Sequence, residues 1–157
     1  IKKIKNSEFK IIDGSNGPIR DYSPLVDWAP HSLGLICYFQ KNINNLDLLL
    51  VKKIKKINNY NYNIYIKIFD RNNNNVFRII TGNNFKKKYR KIRIKSINKS
   101  VVLNPNEKTQ ITPLENILKL FITKINNSSE NYFANTENIA LSSIKLINKI
   151  EDKIILN

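Results

Sequence analysis

The sequence predicts an α+β fold, in which an antiparallel β-meander (about residues 33–97) is followed by two C-terminal helices and preceded by an irregular N-terminal extension (residues 1–32). Three patterns support this prediction. Turn-forming residues crowd the first 32 positions, apolar and polar residues alternate in the central part, and apolar residues recur at helical spacing after position 109. The 157 residues suit one ordinary domain, which we place at 33–157 with a basic central β region.

The N-terminal extension holds two of the four glycines and three of the five prolines of the chain. Residues 13–18, Asp-Gly-Ser-Asn-Gly-Pro, form a cluster of turn formers, and two further prolines follow at positions 24 and 30. Long irregular segments are uncommon in free domains. We therefore expect residues 1–32 to lie against their own core or against a neighbouring protein of an assembly.

The central part shows the period of β-strands. Residues 33–40 form a continuous apolar run that suits a buried strand. Residues 62–68 alternate apolar and polar side chains, and residues 76–81 follow a polar hairpin connection as the return strand. Ile92 and Ile94 alternate with Lys91, Arg93 and Lys95, which predicts a strand with one basic face. Short polar turns between successive strands indicate an antiparallel meander.

Two helices are predicted after position 109. Residues 112–115, Thr-Pro-Leu-Glu, combine a capping box with a proline at the first helical position, and apolar residues recur at helical spacing up to Ile125. Thr136 is the predicted cap of a second helix. The predicted inner face of this second helix comprises Ile139, Ala140, Ser143, Ile144, Ile147 and Ile150.

Positive charge is concentrated in one third of the chain. The net charge is +15, and residues 51–100 carry fifteen Lys or Arg against a single acid, Asp70. Residues 1–50 have six cations and five acids, while residues 101–157 have six of each. A uniform codon bias would spread lysine evenly, so this concentration indicates a surface that binds a polyanion.

These observations predict a structural RNA-binding protein that contacts rRNA phosphates through the basic stretch 52–99. Phe85 and Tyr89 are candidates for stacking on unpaired bases. The expected partners are RNA and, through the N-terminal extension, neighbouring proteins of a large assembly. The candidate RNA-binding residues are Lys52, Lys53, Lys55, Lys56, Arg71, Arg78, Lys86, Lys87, Lys88, Tyr89, Arg90, Lys91, Arg93, Lys95 and Lys99.

No catalytic or metal-binding pattern stands out. His31 is the only histidine and has no cysteine, second histidine or acidic cluster nearby, so we expect it to be structural or bonded to the backbone. The aspartates at positions 13, 21 and 27 stand among turn residues and are expected to cap and bond turns. Ser15 and Ser23 would need His31 as the base for nucleophilic chemistry. The sequence therefore predicts no enzyme, no metal, no cofactor and no small-molecule substrate.

The chain uses 27 Ile, 26 Asn and 22 Lys but only three Ala, which indicates an AT-rich genome. This composition favours a ribosomal protein of an organelle, mitochondrial rather than plastid. No run of residues approaches the ~18 apolar positions of a membrane span, and the lone Cys37 is expected to be buried. The alternative is a non-catalytic subunit of another organellar complex, such as a respiratory or polymerase assembly. A nuclease ranks last, because clustered carboxylates are missing.

Overall fold

A computed structural model describes residues 4–17, 20–40, 43–97, 99–103 and 130–155, and side chains within the last range for residues 137–154. Six strands, two helices and one short 3-10 turn make up these residues. In chain order they are β1 (Glu8–Gly14), α1 (Pro24–Phe39), the 3-10 turn (Ile43–Asn45), β2 (Leu46–Ile54), β3 (Asn63–Asp70), β4 (Asn75–Gly82), β5 (Tyr89–Lys95), β6 (Ser100–Leu103) and α2 (Glu130–Ile155).

The six strands form a single mixed sheet in the order β2-β3-β4-β1-β5-β6. β1 runs parallel to β4, whereas every other neighbouring pair is antiparallel. The α+β class is therefore confirmed, but the prediction of a purely antiparallel meander is wrong. The first strand of the chain lies between β4 and β5, and short turns alone cannot build that order.

Two stretches of the expected irregular extension, residues 8–14 and 24–32, have regular secondary structure. Phe9 and Ile11 alternate with Glu8 and Lys10 in β1, so that the two apolar side chains face the core and are buried. Residues 24–39 are helical: Ser23 is the N-cap, accepting a hydrogen bond from the backbone N–H of Leu25. The predicted strand at residues 33–40 is therefore wrong. A short apolar run does not distinguish a buried helix from a buried strand.

The core lies on one face of the sheet, beneath α1 and α2. Phe9 and Phe77 face each other across the parallel pair β1 and β4, with ring centroids 4.7 Å apart. The core side chains come from alternate strand positions and from both helices: Phe9, Ile11, Leu25, Ala29, Leu33, Ile36, Cys37, Leu46, Val51, Tyr62, Ile64, Ile66, Ile68, Phe77, Ile79, Leu146, Ile147 and Ile150. No described helix covers the opposite face, which we call the open face.

Helix α2 begins at Glu130, so the prediction that Thr136 caps it is wrong. Of the predicted inner face, Ile147 and Ile150 are buried in the core, whereas Ile144 is 53% exposed. The helix predicted to start at residue 113 lies outside the described residues, and the single domain 33–157 stays a prediction. None of the helices in the described ranges is long and apolar enough to span a membrane.

Candidate functional site

The predicted RNA-binding residues do not share one surface. Lys91, Arg93 and Lys95 do lie on one side of β5, as their alternation predicts, and Ile92 and Ile94 pack towards the core. The other candidates occupy β2 and the turn after it (Lys52, Lys53, Lys55, Lys56), the β3–β4 hairpin (Arg71), β4 (Arg78), the exposed β4–β5 connection (Lys86, Lys87, Lys88), β5 (Tyr89, Arg90) and the approach to β6 (Lys99).

Several of these cations already have partners inside the protein. The Nζ atom of Lys53 lies 4.9 Å from the centroid of the Tyr62 ring. Arg71 forms an ion pair with Asp47 at 3.3 Å. Arg90 points to the helix-covered side of the sheet, where its Nε donates to Asp13 at 2.9 Å. The cations that cluster in residues 51–100 of the sequence are therefore spread over both faces of the sheet and its loops in the structure.

Strand register assembles a different group of cations on the open face. Arg78 on β4 has Lys67 of β3 as its neighbour on one side and Lys10 of β1 on the other. Lys10 is in turn opposite Arg93 of β5. We call these four residues the cation row. Lys10 and Lys67 were not among the sequence candidates, because no sequence pattern reveals which residues face each other across strands.

A groove of about 150 Å³ adjoins the end of the cation row. We call it the open-face groove. Lys10 and Ile12 of β1 line it together with Tyr89, Lys91 and Arg93 of β5. Lys91 and Tyr89 are half-buried, while Lys10 and Arg93 are exposed.

The carboxyl ends of β1 and β4 meet at one edge of the sheet. The backbone N–H of Ser15 donates to the carbonyl of Gly82, and the N–H of Phe85 donates to the carbonyl of Ser15. A Cβ atom on Gly14 would collide with the ring of Phe85 and with the carbonyl of Gly82. Phe85 therefore packs on the backbone of β1.

The N-terminus of α1 is fixed at this same edge. The hydroxyls of Ser23 and Tyr62 are hydrogen-bonded at 2.8 Å, so the helix cap is tied to the segment that leads into β3. Burial raises the pKa of the Tyr62 hydroxyl, and the Ser23 bond opposes this effect in part. Ser15 and Ser23 thus serve a turn and a helix cap, and neither is hydrogen-bonded to His31.

Asp27 and His31 stand one helical turn apart on the outward side of α1. His31 is exposed and Asp27 is half-buried, whereas Leu25, Ala29 and Leu33 face the core. The His31 ring makes no hydrogen bond to any residue in the described part of the chain. The backbone hydrogen bond expected for His31 is therefore not found, and the cap expected of Asp27 is supplied by Ser23.

Metal ligands are not grouped: in the described ranges no three His, Cys, Asp or Glu side chains could hold an ion together. Cys37 is buried, as predicted, and burial raises the pKa of its thiol. Such a thiol packs as a small apolar group and is a poor nucleophile.

No protein-family model matches the sequence, and no curated protein matches it either. Solved structures do match the fold. A crystal structure of a protein provisionally assigned as an oxidoreductase, from Magnetospirillum magnetotacticum MS-1, has a TM-score of 0.67 at 14% identity. A dehydrogenase (MviM) from Clostridium difficile has a TM-score of 0.66 at 12% identity. The matches cover 93% and 97% of this chain but 55% and 56% of those chains, so this chain spans about half their length.

This fold likeness corrects the functional interpretation drawn from composition. The chain has the fold of proteins described as oxidoreductases, and the prediction of a structural RNA-binding protein of the ribosome is wrong. The predictions of an rRNA partner, of no small-molecule substrate and of no enzymatic role are wrong with it. The mitochondrial location stays a prediction.

Proposed function

We propose that this chain forms the substrate-handling part of an oxidoreductase that acts on a small molecule bearing a hydroxyl or carbonyl group. Support comes from the fold, since 93% and 97% of the chain align with a protein assigned as an oxidoreductase and with a dehydrogenase. We assign the proposed chemistry to Asp27 and His31, which stand one helical turn apart on the exposed side of α1.

A dehydrogenation needs a base as well as a hydride acceptor. In such a reaction a side chain would take the proton of the substrate hydroxyl, and a nicotinamide cofactor held outside the described residues would accept the hydride from the carbon. Histidine is the side chain that most often serves as a general base, and His31 is the only histidine in the sequence. In this proposal, His31 accepts the proton during oxidation and returns it during reduction.

Asp27 is the positioning residue for His31. Residues at i and i+4 of a helix have Cβ atoms about 5–6 Å apart, so the carboxylate at position 27 is within reach of the His31 imidazole and can orient it. The Ser23–Tyr62 hydrogen bond holds the helix end that carries this pair. In open α/β sheets ligands bind beyond the carboxyl ends of strands, and α1 starts at that end of β1.

The described residues do not fit a dinucleotide. A glycine-rich phosphate loop needs room for the ligand against its backbone. Here the space beside Gly14 is filled by Phe85, and the backbone N–H of Gly17 is bonded by the Ser15 hydroxyl at 2.8 Å. We therefore assign no cofactor to the segment between β1 and α1.

The test is turnover by the native full-length protein. Polyols, sugars and 2-hydroxy acids are supplied with NAD⁺ or NADP⁺, and formation of the reduced nicotinamide is recorded. We expect His31→Asn to lower kcat/KM by about 10²–10⁴-fold, the usual contribution of a general base. We expect Asp27→Asn to lower kcat/KM less than His31→Asn does.

Tyr38→Phe is the matched control, because Tyr38 lies on the same side of α1 and is 54% exposed. It should leave turnover unchanged. Wild-type turnover in His31→Asn would exclude His31 as the base. Absence of turnover in the native protein with every compound would overturn the proposed function.

A further inference from the structure

The cation row places like charges directly opposite each other on four adjacent strands. Strands in a sheet lie about 4.8 Å apart, so the Cα atoms of Lys67, Arg78, Lys10 and Arg93 follow one another at that spacing. Like charges directly opposite destabilise a sheet. A sheet that only had to fold would gain stability from an acid or a neutral residue at one of these positions.

Acidic side chains neutralise little of this charge. Arg78 has Glu8 at 3.0 Å, and the other acid opposite these strands, Asp13, points to the helix-covered side and binds Arg90. Lys10, Lys91 and Arg93 form no ion pair with any residue in the described ranges. Three unpaired cations therefore surround the open-face groove.

We propose that the open-face groove binds a compact small molecule that carries two or more negative charges, such as a diphosphate or a tricarboxylate. The two lysine ammonium groups supply point charges, and Arg93 offers the planar fork that binds phosphate or carboxylate through two hydrogen bonds. Tyr89 and Ile12 also line the groove. A tyrosine hydroxyl can donate a further hydrogen bond to an anion.

The small volume of the groove favours a compact ligand. At about 150 Å³ it is smaller than the ~300–1,000 Å³ of pockets that enclose drug-sized molecules. The apolar residues Leu50 and Val102 are the next cross-strand neighbours at the two ends of the cation row, so the positive charge does not continue across the whole sheet. This site lies on the opposite side of the sheet from α1, and it does not depend on the proposed role of His31.

The first experiment measures thermal unfolding of the native protein with pyrophosphate, citrate, heparin and sodium chloride at matched ionic strength. A ligand at ~100 times its Kd should raise the Tm by about 5–10 °C for a chain of this size. A larger shift with pyrophosphate would identify the ligand as a phosphate ester, and a larger shift with citrate as a polycarboxylate. Equal shifts with pyrophosphate, citrate and sodium chloride would overturn the proposal, as would a response only to heparin, a long polyanion.

The second experiment compares two double variants by titration calorimetry. Lys91→Gln with Arg93→Gln should weaken binding of the better anion at least ~10-fold. Lys145→Gln with Lys149→Gln removes the same charge from exposed positions of α2 and should leave the Kd within about twofold. Equal weakening in both variants would show that net charge alone attracts the anion and would overturn the site.

The ligand-free protein provides an independent readout. Lys10→Gln removes the centre of the cation row, so it should raise the Tm at low ionic strength and abolish the stabilisation by the anion. Salt at 1 M should remove most of the gain in Tm, because screening acts on the same repulsion. A lower Tm for Lys10→Gln at low salt would contradict the repulsion on which the proposal rests.

Discussion

Asp13 and Arg90 face each other across β1 and β5, and the Arg90 Nε donates to Asp13 Oδ1 at 2.9 Å on the helix-covered side of the sheet. The side chain of Asp13 is only 5% exposed, and that of Arg90 is 29% exposed. The pair therefore joins the first strand to the fifth inside the fold, between residues 77 positions apart in the sequence.

Asp13→Asn should destabilise the protein by about 3 kcal/mol, because it leaves a largely buried guanidinium without a counter-charge. Unfolding in urea measures the change. Glu8→Gln is the control, since the Glu8–Arg78 pair is 43% exposed on both sides and should contribute about 1 kcal/mol or less. Equal effects of the two substitutions would show that burial does not set the strength of the Asp13–Arg90 pair.

Ile150→Ala should cost about 2–5 kcal/mol, because Ile150 is fully buried where α2 joins the core and its truncation leaves a cavity. Ile144→Ala removes the same atoms from the same helix at a position that is 53% exposed. It should change the free energy of unfolding by no more than ~0.5 kcal/mol. A large loss at Ile144 would mean that this side of α2 is covered in the folded protein.

Tyr62 should make stability fall at alkaline pH. Burial raises its pKa in the folded protein above the value of about 10 in the unfolded chain. The folded state therefore holds this proton more tightly. Its contribution is complete below pH 10 and is lost as the pH rises from there through the folded-state pKa.

Tyr62→Phe should cost about 1 kcal/mol at neutral pH through loss of the Ser23 bond, and it should reduce the alkaline decline. Urea unfolding at a series of pH values between neutrality and pH 11 compares the two proteins. An unchanged alkaline slope in Tyr62→Phe would assign the decline to other groups.

The sequence predicted the features that depend on neighbouring positions. The alternation in residues 62–68 and 91–95 located β3 and β5 correctly, because a strand with one buried face has period two over its own length. β1 was missed because its seven residues stand next to turn formers and its partners lie far along the chain. Its place in the middle of the sheet is a property of the tertiary structure.

The candidate sites were missed for the same reason. Asp27 and His31 become neighbours only once residues 24–39 are recognised as a helix. Ser23 followed by Pro24 is a helix N-cap followed by a first-turn proline, which is a sequence signal for the start of a helix. This signal was interpreted as a break because many turn-forming residues surround it. The cation row needed the register of four strands, which no local pattern supplies.

The position of β1 also constrains the order in which the sheet can form while the chain is synthesised. Among the described strands, β1 alone is hydrogen-bonded to both antiparallel pieces of the sheet, β2–β3–β4 and β5–β6. A nascent chain emerges from its N-terminus, so residues 8–14 leave the ribosome long before the partners at residues 75–95 exist. Hairpins close over short loops, whereas both contacts of β1 must close loops of more than ~60 residues at a higher entropic cost. Until these loops close, the side chains of Phe9 and Ile11 are not buried in a core, and no strand joins the two halves of the sheet.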